Sequence, residues 1–307
     1  MVLLKRKAQI IAKVESTSGT AESSFAAADV IQNAFDPMIQ PTFEQIDRPQ
    51  QSSFGRFADV VGFRSGTATF RVELNGDGAG TAPPWAEKLL PACGMKQTGE
   101  AFNTLAEPVG SNLKTLTLCL YQDGRRTMLC GASGTFNLVA ESGKIMSLEF
   151  TFTGKYKAID DTALISFTND DAHKPFRFAN STMTIGSWSP CVQSLGLDMG
   201  NNVILRECQS GTDGSGYKAA LITDRTTMIS INPEAELVAS NDTYGQALSG
   251  ASTAFSLAMD DTVDICTIAA AAVAKVNPQA GDRNGVVTDD LQLKVLNDSW
   301  SITWSAS

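Results

Sequence analysis

The sequence predicts a mainly-β chain built as two tandem β modules, each with one short helical piece and one long polar loop. Three observations carry this expectation. Apolar and polar residues alternate through many short runs, the period of a strand with one buried face. Glycine is frequent, at 25 of 307 residues, with abundant Ser and Thr, while uninterrupted Leu/Lys/Glu runs of helical length are scarce. Lastly, the order of element types read from Phe43 to Tyr156 recurs from Met199 to Trp304, at low residue identity. The expected boundaries are 1–160 for the first module, 161–180 for a connector and 181–307 for the second module.

In the first module, Ala8 to Glu15 reads as a strand and Ser16 to Ala27 as a small polar loop turning at Gly19. Asp36-Pro37 ends a short apolar stretch. A long polar segment, Pro41 to Asp59, follows as a loop or as an extended hairpin with Asp47, Arg48 and Pro49 near its tip. From Gly62 to Leu74 the residues alternate, and the side with Arg64, Gly66, Ala68, Phe70, Val72 and Leu74 is apolar towards its end, as for a half-buried strand. Pro83-Pro84 precedes one or two helical turns, Trp85 to Leu90, with Pro in its favoured early position and Pro91 and Gly94 as the stop. Leu113 to Tyr121 sets Leu116, Leu118 and Leu120 on one face and Thr115, Thr117, Cys119 and Tyr121 on the other. Asp123-Gly124 is a hairpin turn signal, and Arg125 to Cys130 and Thr135 to Ala140 are short returning strands. The strongest strand runs from Met146 to Tyr156, with Met146, Leu148, Phe150 and Phe152 on one face.

Asp160-Asp161 to Pro175 is polar and reads as the connector. The second module then offers strands at Met183 to Ile185, Val192 to Leu197, Ala219 to Ile222, Thr226 to Ile231, Ala254 to Met259, Thr262 to Ala270 and Leu291 to Trp304. A weaker helix is expected at Gln246 to Leu248, a turn at Asp260-Asp261, and a loop from Asn277 to Asp290. Its own long polar segment is Asp198 to Lys218.

The formal net charge is -9 and the pI about 4.7. A protein that grips nucleic acid through phosphates needs a basic surface, so this chain either never meets nucleic acid or meets it without holding on. The six cysteines, Cys93, Cys119, Cys130, Cys191, Cys208 and Cys266, are scattered with no paired spacing and read as small apolar residues with reduced thiols. Met1 to Lys7 is basic, but Ala8 to Val14 is too short and broken for a secretory core. No run approaches the roughly 18 apolar residues of a membrane span. The expectation is a soluble protein folded in the cytoplasm.

Catalysis finds little support. The one histidine, His173, lies in the polar connector, and any Ser-His-Asp or Cys-His arrangement would have to use it. One His and unclustered Cys give no zinc spacing. The run from Asn75 to Gly80 lacks the Lys-Ser/Thr ending of a phosphate loop. As a calcium loop it has Asn75, Asp77 and Gly80, but Ala79 and Ala86 stand where ligands belong. It reads as a glycine turn. The pairs Asp160-Asp161, Asp170-Asp171, Asp260-Asp261 and Asp289-Asp290 are adjacent, so on strands their carboxylates point to opposite faces. No catalytic residue, cofactor or metal is expected. The two long polar segments are the stronger signal. They read as polar with few large apolar residues, and loops of that length are uncommon in compact domains unless they bind something or are disordered; an intermolecular contact is the expectation, a flexible excursion the alternative.

The chain resembles the major tail tube proteins of long-tailed, siphovirus-type bacteriophages. The resemblance spans nearly the whole sequence. It rests on Ala12-Lys-Val-Glu15 with Ser18-Gly-Thr20, and on Pro84, Leu89-Leu90 and Ala92-Cys-Gly94. It continues through Gly131 to Ala140 with Gly143-Lys144, Leu148-Glu-Phe150 and Gly154-Lys-Tyr156. Ser194 to Arg206, Ile222-Thr-Asp-Arg225 and Asn232-Pro-Glu234 complete it.

That resemblance implies tail-tube-like β-sandwich or barrel domains, each with a flanking helix and a long extended loop. It implies a non-enzymatic structural protein of the virion tail, assembled in the host cytoplasm. Its partners would be itself, in stacked rings, and other tail proteins. Double-stranded DNA would pass transiently through an acidic bore that repels phosphate. It also implies that the long loop reaches the adjoining ring. The expected contact residues are then Gln45, Asp47, Arg48, Gln50 and Phe54 in the first module. By the repeat, Asn201, Arg206 and Asp213 join them in the second. Two modules per chain imply a trimeric, pseudo-sixfold ring, with a hexamer of whole chains as the alternative. The competing readings are another virion component (tail terminator, adaptor or decoration protein) and a β-rich hydrolase or carbohydrate-binding module.

Overall fold

The computed structural model describes residues 3–108, 112–169, 173–209 and 214–307. The chain is mainly β. Its first half holds β1 (Ala8–Val14), β2 (Ala34–Pro49), β3 (Arg56–Glu73), helix α1 (Pro84–Ala92), β4 (Met95–Thr98), β5 (Ala101–Thr104), β6 (Leu116–Gln122), β7 (Arg125–Glu141) and β8 (Ser147–Asp161). Its second half holds β9 (Ser181–Ile185), β10 (Val192–Asp198), β11 (Asn201–Glu207), β12 (Tyr217–Arg225), β13 (Met228–Pro233), helix α2 (Thr243–Ser249), β14 (Ser252–Asp260), β15 (Asp264–Arg283), β16 (Val286–Val295) and β17 (Trp300–Ala306).

The pairing order recurs between the halves. In the first, β2, β3, β8 and β7 follow one another antiparallel, and β1 with β6 joins the early part of β7. In the second, β10, β13, β16 and β15 do the same, and β9 with β14 joins the early part of β15. Each long central strand changes direction at a bulge, β7 between Cys130 and Ser133 and β15 between Ala270 and Val273. Past its bulge, β7 accepts β10 of the second half, Asn137 to Glu141 pairing with Asp198 to Ser194. The matching edge of β15 beyond Ala274 has no strand beside it among the described residues. It carries Asn277, at φ 48°, and Pro278, which supplies no N–H. A bulge and a proline of this kind blunt an open edge against indiscriminate pairing.

The halves share one core. Alternation places Ala68, Phe70 and Val72 of β3 against Leu148, Phe150 and Phe152 of β8, all buried, with Phe70 and Phe150 stacked at 5.7 Å. Helix α1 lays Trp85, Ala86, Leu89 and Leu90 inward, and the Trp85 ring meets Trp304 of β17 at 6.1 Å. One hydrophobic cluster runs from Ile10 to Trp304 without a break between the halves. The halves also exchange elements. β5 pairs with β17, so the β4–β5 hairpin extends the second half's sheet, while β11 and β12 lie over β7 and β8 of the first.

Several sequence expectations are corrected. Both faces of β6 are buried, because Ile11, Val30 and Met128 cover Cys119 and Tyr121 on the face opposite the leucines. Pro91 does not stop α1; it sits in the last turn, where Gly94 at φ 80° ends the helix. The strand expected from Thr226 starts at Met228, because Thr226 N donates to Gly200 O at 3.1 Å and the Thr227 hydroxyl donates to Met199 O at 3.0 Å. The closing strand is two, β16 and β17, separated by 296–299. The expected loop from Asn277 to Asp290 is instead the paired end of the β15–β16 hairpin. The connector is not solvated throughout: Phe176 and Phe178 are buried, and Phe176 N donates to Leu74 O at 2.8 Å. Asp170-Asp171 lies outside the described residues.

Candidate functional site

The long polar segment of the first half is a hairpin arm. β2 and β3 continue as a two-stranded ribbon beyond Phe43 and Arg64, with bulges at Phe43/Gln45 and Ile46/Arg48. At about 3.3 Å per residue the ribbon extends roughly 20 Å from the sheet. Its tip is the turn from Gln50 to Gly55, closed by Gln50 N donating to Gly55 O at 3.1 Å, rather than Asp47 to Pro49. Gln45 pairs with Val61 across the ribbon. The Asp47 carboxylate bridges to Arg56, and the Arg48 guanidinium lies 5.5 Å from the Phe57 ring centre. Phe54 is fully exposed at the tip. Thus the five predicted residues of the first half all sit on one projecting element.

Sequence reasoning missed what else the arm carries. Phe43, Ile46, Phe57, Val60 and Val61 are large, apolar and exposed, and Ile46 stands directly opposite Val60. The expectation of few large apolar residues there is therefore corrected. The signal was present, since Phe57 and Val60-Val61 continue the alternation of β3. Burying such a side chain is worth roughly 1.5–3 kcal/mol. As each is already about half covered, a surface that covered the rest of three of them would gain roughly 3 kcal/mol before ordering costs.

The second long segment is also a hairpin, β11–β12, but it is folded onto its own chain. Ala219, Ala220 and Ile222 are buried. Asn201 is an internal fastener: its Nδ2 donates to Cys93 O and Gly134 O, both at 2.8 Å, and its Oδ1 accepts Arg225 Nε at 2.7 Å. Its side-chain geometry takes it off the outer surface. Arg206 is exposed on β11, and Asp213 lies outside the described residues. The two hairpins meet at the base of the arm. Arg64 N donates to Ser215 O at 3.0 Å, and the Phe63 and Tyr217 rings lie 4.9 Å apart. Burial, helped by Glu207 and Glu44, raises the Tyr217 phenol above its usual range.

The glycine run between β3 and α1 wraps a carboxylate of the second half. Asp264, 2% exposed, accepts Gly78 N and Gly80 N, both at 2.7 Å. The Asp77 carboxylate takes Ala79 N and Thr81 N, and these bonds with the Thr81 hydroxyl outweigh burial to hold it below the usual range. Both carboxylates are thus spent on the turn's own backbone. Burial pushes the Cys93 and Cys266 thiols up and the Cys119 thiol up to about 12, which leaves these three unreactive. Among the described residues no group of three or more His, Cys, Asp or Glu could hold a metal, and no helix is long and apolar enough to cross a membrane. No protein-family model matches the chain, and a search of curated proteins finds no match.

Proposed function

We propose that the chain is a structural virion protein: a tail tube subunit of a long-tailed bacteriophage that self-assembles into stacked rings around a bore for the genome. The observation that carries this reading is the projecting β2–β3 arm. It bears Phe43, Ile46, Phe54, Phe57, Val60 and Val61, all exposed, with Phe43 meeting Tyr156 edge-on at the base and Arg48 lying over Phe57. A monomer rarely leaves an apolar surface of this kind uncovered unless a partner covers it. The repeated pairing order supports a ring of three chains with six similar units, closed by contacts between unlike surfaces. The net charge of -9 suits a wall that repels phosphate, so double-stranded DNA slides past without binding. Other tail proteins would cap such a tube in the virion.

Negative-stain microscopy of the purified full chain tests the proposal. Long striated tubes with a central channel and threefold or pseudo-sixfold end views are expected. Deleting Gln45 to Phe54 is expected to leave a folded protein with unchanged far-ultraviolet circular dichroism that no longer polymerises. A chain that stays monomeric at high concentration, or one that builds normal tubes without the arm tip, overturns it.

A further inference from the structure

The two halves present the same outer surface in two conditions, one covered and one open. In the first half it is covered. Hairpin β11–β12 lies over β7 and β8, and the approach is close because β7 there is small: Gly131, Ala132, Ser133 and Gly134. A Cβ on Gly131 would stand 3.0 Å from the Ala219 backbone. Thr117, Ser133 and Lys155 on this surface are buried.

In the second half the bulge of β15 fixes the equivalent place. Leu129 and Ala132 flank the bulge facing β6 as Ala270 and Val273 flank the one facing β14, all four turned into the core, so Ala271 stands where Cys130 stands and Ala272 where Gly131 stands. This stretch is small too, Ala269 to Ala272, with Ala254 and Ser256 of β14 beside it. Among the described residues no hairpin covers it. A groove of about 640 Å³ lies there, floored by Ala254, Ala269 and Ala271 and edged by Asn103 and Ser301.

The element inserted between β10 and β13 is the one that covers the first half. Its counterpart, at the far ends of β2 and β3 by the same pairing order, is the arm, which beyond its base contacts lies over no sheet among the described residues. The chain therefore holds one occupied hairpin-on-sheet contact together with both unoccupied parts of a second. One chain cannot satisfy its own second contact while the arm projects away from it.

We propose that the β2–β3 arm of one chain lies across the open β14–β15 face of another, over Ala269 to Ala272, as β11–β12 lies across β7 within the chain. The partner is a second copy of this chain, and the inference rests on the assembly reading above. The contact joins unlike surfaces, so it propagates from chain to chain until a ring closes. Small residues on the face admit the arm's Ile46, Phe57 and Val60, as Gly131 admits Ala219.

Disulfide trapping in the full chain tests this. With the accessible thiols removed by Cys191→Ser and Cys208→Ser, one preparation carries Ala271→Cys. Each of three others carries Ile46→Cys, Phe57→Cys or Val60→Cys. Mixing a face variant with an arm variant under mild oxidation is expected to give a covalent dimer that neither gives alone. In parallel, Ala271→Arg is expected to lower the polymerised fraction by roughly tenfold or more while the thermal midpoint holds, as for a charge forced into a contact centre. Tubes that form while no arm position links to Ala271, or that form normally with Ala271→Arg, overturn this contact and leave the tube reading standing. A chain that never polymerises overturns both.

Discussion

Arg225 joins three separate stretches of chain with one guanidinium. Its side chain is 5% exposed and donates to Asn201 Oδ1 at 2.7 Å, to Asp298 Oδ2 at 2.6 Å and to Gly94 O at 3.1 Å. It thereby ties the second hairpin to the end of α1 and to the turn before β17. Burial raises the Asp298 carboxyl and Arg225 opposes that, so removing the arginine strands a desolvated acid. Arg225→Met is expected to cost ~3 kcal/mol in denaturant unfolding, and a loss below ~0.5 kcal/mol would count against the tie. Lys275 is the opposite case. It is 4% exposed, with its ammonium 4.4 Å from the Trp188 ring centre and 3.3 Å from Asn241 Oδ1. Desolvation pulls its pKa below 10.5, more than Asp289, Asp242 and Glu236 push it back. A base with a lowered folded-state pKa destabilises the fold while charged, and stability rises as pH passes the folded value towards 10.5. Lys275→Met is therefore expected to stabilise by about 1 kcal/mol near neutrality. Thermal midpoints of the two proteins should converge as pH climbs through that alkaline window. A gap that stays constant would remove burial of the charge as the cause.

At the level of elements, the arm and the second hairpin show how alike sequence signals diverge. Both read as long polar loops, and both are antiparallel ribbons. A two-stranded ribbon by itself is marginally stable, so each depends on what lies beneath it. β11–β12 has a sheet beneath it; the arm has its base contacts and cross-strand pairs such as Asp47 with Arg56. Amide hydrogen exchange should separate them in the unassembled chain. Fast exchange is expected for Gln45 to Val60 and protection for Ala219 to Ile222, with the arm becoming protected on polymerisation. Equal protection of both in the monomer would contradict an uncovered arm. The strands of β3 and β8 were legible because period-two alternation with one apolar face admits few other answers. The arm was half legible. Phe57 and Val60-Val61 signal a strand, but exposed apolar residues imitate burial, and the sequence does not say which has happened. Hairpin β4–β5 left no clear signal, because four-residue strands are too short to show a period.

Across the whole molecule, duplication and independence part company. The pairing order repeats, yet Trp300 and Trp304 of the second half pack among Phe136, Phe102 and Trp85 of the first. Residues 1–160 alone would lose β17 from beside β5, β10 from the edge of β7 and β11–β12 from its outer face. That fragment is expected to be unfolded or aggregated, with no dispersed amide spectrum and no cooperative melting. A cooperative transition from the isolated fragment would show that the shared core is dispensable. The chain thus carries two related surfaces on one shared core.

The mainly-β class, the inward faces of β3 and β8, the place of α1 and the acidic charge were set by the sequence alone, because local periodicity and composition do not depend on distant partners. Tertiary structure decided which hairpin is covered and which is bare, that the halves share one core, and that Asn201 and Asp264 serve internal ties. Those outcomes turn on contacts between residues far apart in the chain. A polar or apolar side chain has the same local signature whether its partner is its own backbone, a remote strand or another molecule.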